Sequence, residues 1–191
     1  MLNYPNARKA NIKEEKFGQI VEDPYRWMED DHSPETVDYV EEQMALTEKY
    51  LEKIPERATI REQLANLANY ETYGSFFVIK DKILFAHNSG KQSQKVWYIQ
   101  DGLAGEPEVL IDPNRLSEDG TIAISMVAPS KNGRYLTYLS AESGSDWQTL
   151  RILDLETKKT LDDKINWIKY THTAWQGDGF YYSAYQKPQT D

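Results

Sequence analysis

The spacing of apolar residues along this chain changes near residue 75. Upstream, Val37, Val40, Met44, Thr47, Leu51 and Ile54 follow at steps of three and four, which places them on one face of a helix. Ser33 offers a capping hydroxyl and Pro34 stands at the first helical position, where a missing N–H costs nothing. Glu35 and Asp38 suit the positive end of the helix dipole, and Pro55 ends the run. A second, shorter helix is expected from Arg57 to about Asn69, with Ile60, Leu64 and Leu67 on its buried side. The first third of the chain therefore reads as helical.

Downstream the period is two. Strands are expected at Phe76–Ile79, Ile83–Ala86, Val96–Gln100, Val109–Ile111, Ile122–Val127, Tyr135–Leu139, Thr149–Leu153 and Phe180–Ala184. Asp101-Gly102, Asp119-Gly120, Asn132-Gly133 and Asp178-Gly179 mark turns between them. No helical pattern intervenes, so the sheets are expected to be antiparallel. The pattern also repeats. Asp81-Lys82-Ile83-Leu84-Phe85, Asn132-Gly133-Arg134-Tyr135-Leu136 and Asp178-Gly179-Phe180-Tyr181-Tyr182 are offset by 51 residues (81 to 132) and 46 (132 to 178). Trp97-Tyr98-Ile99-Gln100-Asp101 returns as Leu150-Arg151-Ile152-Leu153-Asp154, offset by 53 (97 to 150). About four strands per repeat of this length describe a β-propeller blade, with a plain meander as the alternative. Residues 75–191 hold about two blades and the opening of a third, and propellers use four to eight. The chain is accordingly expected to be truncated, ending at Gln189-Thr190-Asp191 in a loop of the third repeat.

Composition narrows the function. Of 191 residues 39% are hydrophobic and 12% aromatic, enough for a folded core. The net charge of −9 opposes phosphate and anionic-lipid contact, so neither nucleic acid nor membrane is an expected partner. No cysteine is present, which excludes disulfides and thiolate metal sites. The polar start Met1-Leu2-Asn3-Tyr4 lacks the apolar stretch of a signal peptide, and a soluble, cytoplasmic protein is expected.

The candidate chemistry is sparse. None of the eleven serines lies in Gly-x-Ser-x-Gly, the turn that exposes a hydrolase nucleophile, and His32, His87 and His172 have no such serine to serve. Asp112-Pro113-Asn114 with Asp119-Gly120 does not have EF-hand spacing, and Glu29-Asp30-Asp31-His32 has no second histidine at ligand spacing. No phosphate-binding glycine loop occurs. Neither a metal nor another cofactor is expected.

Several motifs in a fixed order nevertheless resemble the prolyl oligopeptidase family of serine peptidases, over essentially the whole chain. They are Tyr4-Pro5, Asp23-Pro24-Tyr25-Arg26-Trp27-Met28-Glu29-Asp30, Gln43, Thr47, Pro55, Asn88-Ser89-Gly90, Gln92 and Gln94. Asp112-Pro113-Asn114, Leu116-Ser117-Glu118-Asp119-Gly120-Thr121, Ser143-Gly144-Ser145-Asp146-Trp147, Lys169-Tyr170 and Ala174-Trp175 complete them. Lys91 stands where the family usually has leucine, and Tyr170 where it usually has phenylalanine.

The resemblance implies a mainly β fold with a helical N-terminal segment. Residues 1–70 would pack on a C-terminal α/β-hydrolase domain, and 71–191 would form the first two to three blades of a seven-bladed propeller. The intact enzyme would cleave short peptides after proline, with the propeller gating access to the interdomain cavity. Its Ser-Asp-His triad belongs to the hydrolase domain, so no catalytic residue is carried over to this chain. The expected partners are a short proline-containing peptide and that domain. Asp23 to Trp27 is expected to dock on it, with Tyr25 and Trp27 as anchors.

The same resemblance makes Tyr170 a cavity-lining aromatic that contacts substrate upstream of the proline; read from the residue alone, it is a core aromatic. Asp146 matches an acidic position near the domain interface, where it would orient an arginine of the hydrolase domain. Its own setting equally suits a turn-capping aspartate. Two other functions remain: a free-standing propeller-like module that binds a protein partner, or the N-terminal part of an oligopeptidase B, which cleaves after basic residues.

Overall fold

Strand-forming positions from residue 72 onward fold into two four-stranded antiparallel meanders and a short hairpin. They are seen in a computed structural model, which describes residues 2–187. The expected end at Gln189-Thr190-Asp191 lies outside the described residues. Contacts divide the chain into two units, meeting at Asn66 and Leu67 in the last turn of a helix.

The first unit begins with a hairpin, β1 (Lys13–Lys16) and β2 (Gln19–Glu22), turned by Phe17 and Gly18, both at positive φ. The sequence reading missed it, because its four-residue strands are too short and charged to show alternation. A 3-10 turn at Arg26–Glu29 leads to α1 (Pro34–Leu51) and then α2 (Arg57–Ala68). Ser33 caps α1 as expected, its hydroxyl accepting from the Thr36 N–H at 3.3 Å.

The Asp23–Asp30 motif serves as an internal fastener. Trp27 donates its indole N–H to the Arg8 carbonyl at 2.9 Å and meets Tyr39 edge-on, while its own carbonyl accepts from the Thr36 hydroxyl. Arg8 forks onto Glu35 at 2.6 and 2.9 Å. Arg26 pairs with Asp23 at 2.8 Å and with Glu14 of the hairpin. Of the two expected anchors, Trp27 is thus engaged within its own unit, and Tyr25 is exposed.

The burial expected for Ile60, Leu64 and Leu67 on α2 fails: all three are exposed, as are Val37, Val40 and Met44 on α1 and Ile54 just beyond its end. Periodicity shows that a face is apolar, and nothing in this unit covers these faces. Neither helix is long and apolar enough to cross a membrane.

In the second unit, β3 (Thr72–Ile79), β4 (Lys82–Asn88), β5 (Val96–Asp101) and β6 (Glu108–Ile111) form one sheet in chain order. A second follows with the same up-and-down order: β7 (Ala123–Pro129), β8 (Tyr135–Ala141), β9 (Gln148–Asp154) and β10 (Lys159–Ile168). β11 (Ala174–Gln176) and β12 (Gly179–Tyr181) then form a separate hairpin. This is the expected mainly β architecture of two blades and the opening of a third.

Three details depart from the pattern reading. β10 was not expected, because an outer strand of mostly solvated positions such as Asp162, Asp163 and Lys164 leaves no apolar alternation. β11 was too short to register. The last turn is Gly177-Asp178 rather than Asp178-Gly179: Gly177 takes φ +59, and Gly179 already belongs to β12, which ends at Tyr181 instead of continuing to Ala184.

The core lies between the sheets. Leu84, Ala86, Trp97 and Ile99 of the first pack against Val127, Leu136, Tyr138 and Leu153 of the second. On the far side of the second sheet, Leu139, Leu150 and Ile168 form another cluster, joined by Met126 and by Phe180 of β12. β8 is therefore buried on both faces. Polar ties bind the layers: Asn114 exchanges two hydrogen bonds with the Gln94 backbone, at 2.9 and 3.0 Å, and the Gln94 side chain donates to the Ile122 carbonyl at 2.6 Å. Asn132 and Asp178, in the turns that open successive repeats, bond to each other at 2.6 Å. Gly133 needs its lack of a side chain twice over, since it adopts φ +70 and an added Cβ would sit 3.0 Å from Ile79.

Two stability measurements follow. Leu136 is fully buried between the sheets, so Leu136→Ala should cost about 2–5 kcal/mol, read as a lower denaturation midpoint in urea at unchanged slope. A cost below about 1 kcal/mol would mean that the sheets do not pack in this register.

The Glu14 carboxyl is held down to about 2, first by the hydrogen bond from Arg26 and then by that from Lys16. Its ordinary value is near 4.5. A carboxyl with a depressed folded pKa stabilises fully above its unfolded pKa and loses that contribution as pH falls through the folded one. Glu14→Gln should thus lower stability above about pH 5 and converge with the wild type near pH 2. A gap of the same size at both pH values, measured by circular dichroism in urea, would assign the loss to packing.

Candidate functional site

Two loops at one end of the second sheet build the site. One joins β8 to β9 and carries Glu142 to Trp147; the other joins β10 to β11 and carries Lys169 to Thr173. Both are bent tightly. Ser143 and Gly144 lie at φ +49 and +73 in the first, and Trp167 and Tyr170 at +61 and +48 around the second. A bulky aromatic in the left-handed region costs on the order of 1 kcal/mol and persists only where its surroundings hold it. Ile168, between Trp167 and Tyr170 in sequence, is fully buried against Leu139 and Leu150.

The sequence suggested Tyr170 and Asp146 separately. The fold brings them together, 24 positions apart, with the Tyr170 hydroxyl donating to Asp146 Oδ2 at 3.3 Å. The turn-capping alternative for Asp146 is not what is seen: Ser145 caps this turn instead, its Oγ accepting from the Trp147 N–H at 3.1 Å. Nor is Tyr170 a core residue, since its ring is 83% exposed. The Asp146 carboxylate raises the Tyr170 phenol above the usual tyrosine range, by its charge first and by the hydrogen bond second.

Neighbours that the motifs include, but to which no site role was given, complete the site. Lys169 Nζ lies 3.8 Å from Asp146 Oδ2 and 4.3 Å from the centre of the Trp147 ring, an ion pair and a cation–π contact made by one ammonium. Trp147 meets the edges of Trp167 and Tyr185 at 5.5 and 5.7 Å. Lys169 and Trp147 flank Tyr170 and Asp146 in the sequence, yet nothing in a linear pattern pairs residues of two different loops.

Asp146 and Tyr170 border a cavity of about 390 Å³, floored by Met126 and Leu139 and rimmed by Ser125, Gln148 and His172. An aromatic wall, an acidic acceptor and a small apolar floor suit a short segment of extended peptide, which offers N–H donors and modest side chains. A larger hollow of about 620 Å³ beside the α1–α2 turn is lined by Ile54, Pro55 and Ala58 among charged side chains.

The other motifs have local structural roles. Asp112 accepts from the Asn114 backbone at 3.0 Å, and Asp119 from Thr121 at 3.1 Å, which forms the link between the two sheets. His87 contacts Glu71 at 2.7 Å, away from this cavity. No Gly-x-Ser-x-Gly elbow occurs in the sequence.

Comparison with known proteins agrees with this architecture. The family profile described as prolyl oligopeptidase, N-terminal beta-propeller domain, matches residues 4–191. Prolyl endopeptidase of Elizabethkingia meningoseptica is 40% identical over 190 residues, covering 99% of this chain and 27% of the relative. Prolyl endopeptidase of Dictyostelium discoideum is 27% identical over 237 residues, covering 98% of this chain and 31% of its own length.

A solved structure, from a study of two prolyl endopeptidases and of inter-domain dynamics in their catalysis and specificity, aligns with a TM-score of 0.82 at 26% identity. It covers 95% of this chain and 27% of the other. Prolyl oligopeptidase B from Galerina marginata, bound to a 35mer hydrolysis and macrocyclization substrate, shares the fold at 23% identity, with a TM-score of 0.75 over 96% of this chain and 30% of that one. The chain spans about 27% of the length of the first two curated relatives. By its motifs, its stacked four-stranded sheets and the profile that matches nearly its whole length, it belongs to the prolyl oligopeptidase family, of which it is N-terminal propeller sequence.

Proposed function

We propose that this chain works as the substrate-gating part of a serine peptidase that cleaves short peptides after proline. The observation that carries the reading is the match at 40% identity, over 99% of the chain, to a relative named prolyl endopeptidase. In this reading a C-terminal hydrolase domain supplies the serine nucleophile and its histidine base. The present chain supplies a wall of the cavity and no reacting group. Tyr170 offers a broad apolar face to the peptide upstream of the proline at low rotamer cost. Asp146 faces the hydrolase domain and orients an arginine there. The exposed apolar faces of α1 and α2 are the surface on which that domain rests, and a cytoplasmic setting goes with the absence of cysteine.

The test compares the 191-residue chain with the same chain continued through a family hydrolase domain. The chain alone should leave a proline-containing reporter peptide intact, because no triad is present, while the continued chain should cleave it after proline. Cleavage after lysine or arginine instead would reassign the protein to the oligopeptidase B type. In the continued chain, Tyr170→Ala should lower kcat/KM roughly 5- to 30-fold for peptides reaching several residues upstream of the proline. Dipeptide-length reporters should be nearly unaffected. Equal losses for both lengths would remove Tyr170 from the substrate path.

A further inference from the structure

The hydroxyl of Tyr170 is a polar tip on the aromatic wall of this cavity. It is engaged with the one carboxylate of the cavity, in a loop that adopts left-handed backbone to present it. Asp146 Oδ2 takes both the Tyr170 hydroxyl and the Lys169 ammonium. Oδ1 accepts no hydrogen bond among the described residues. A carboxylate can accept about four hydrogen bonds, and here the two engaged contacts fall on a single oxygen. Lys169 is itself seated on the Trp147 ring, which fixes the direction from which it approaches.

We propose that the Tyr170 hydroxyl is a positioning group: it holds Asp146 by one oxygen, so that the other is presented to an N–H donor at the mouth of the cavity. The inference rests on the reading of this cavity as the peptide-facing wall. It deepens that reading by making the ring and the carboxylate one unit instead of two independent contacts. The donor has two possible sources of the same chemistry, a peptide N–H or a guanidinium of the hydrolase domain. The tie would also hold the ring at one angle over the Met126 and Leu139 floor. A phenol carries its proton through the neutral range in any case, and the carboxylate beside it disfavours the phenolate further.

Tyr170→Phe in the continued chain separates the hydroxyl from the ring, and KM should rise about 2- to 10-fold at unchanged kcat, the scale of one hydrogen bond. A rise confined to long peptides identifies the donor as the peptide; an equal rise for short and long reporters identifies it as the domain. Kinetics matching the wild type, while Tyr170→Ala remains impaired, would overturn the positioning role and leave the proposed function standing. Loss of length dependence in Tyr170→Ala would instead strike at the proposed function.

A second readout needs no activity. The ultraviolet tyrosinate titration of Tyr170 is obtained by difference from Tyr170→Phe, over the pH range in which circular dichroism shows an intact fold. Its midpoint should move down in Asp146→Asn. An unmoved midpoint would show that the two groups are not coupled, and the proposal would fall.

Discussion

The constraint on which this structure depends is that a propeller sheet must be covered on both faces. β8 shows it directly. Leu136 and Tyr138 are buried against the first sheet, and Thr137 and Leu139 are buried on the opposite side. Thr137 is satisfied there by the Ala128 carbonyl and by Thr173 at 2.6 Å, so its hydroxyl is buried without an unmet hydrogen bond. Trp175 donates to that same Ala128 carbonyl, which ties the opening hairpin of the third repeat to the second sheet. The other face of the first sheet is only partly covered: Tyr73, Phe76 and Phe85 stack there as an aromatic stripe in which Phe85 is buried, while Tyr73 and Phe76 are more than half exposed.

Stacking of this kind also makes the site. Successive sheets run their strands in the same up-and-down order, so the β8–β9 loop and the loop leading into the next repeat emerge at the same end. A cavity forms where they meet, floored by the side chains of the stacked sheet. The strain falls at Ser143 and Tyr170 in these two loops and at Trp167 near the end of β10, and Ile168, between the latter two in sequence, is buried against Leu139 and Leu150. The backbone conformation that presents Tyr170 is thus maintained by the same burial that holds the layers together.

The electrostatics have a comparable logic. Several other acidic side chains have structural partners: Asp112 and Asp119 cap turns, Asp154 accepts from the Glu156 and Thr157 backbones and pairs with Arg134, and Asp23 and Glu14 hold Arg26. Asp146 is different because Ser145 has taken over the capping of its turn. Its carboxylate is left facing Tyr170, Lys169 and the cavity. A single neighbouring hydroxyl separates a structural aspartate from one available for recognition.

Much of the fold was legible from sequence, for an identifiable reason. The apolar runs at β4, β5, β8 and β9 are conspicuous because these inner strands bury residues on both faces, and the turn dipeptides Asp101-Gly102 and Asn132-Gly133 carry their own conformational requirement. β10 and the β1–β2 hairpin lay below that signal, since outer and solvated strands are held by backbone pairing rather than by side-chain burial. Gly177-Asp178 was misread by one residue, because both neighbouring glycines could have supplied the positive φ and only strand pairing chooses between them. The helix faces were correctly seen as apolar, but a period of 3.6 says nothing about what lies opposite, and in this unit nothing does. At the site, the sequence determined the residue types and, through family motifs, drew attention to Tyr170 and Asp146. That they touch, that Lys169 and Trp147 stand behind them, and that Ser145 rather than Asp146 caps the turn were decided only by the tertiary structure. Contacts between loops 24 residues apart follow from how sheets stack, and no local pattern encodes them.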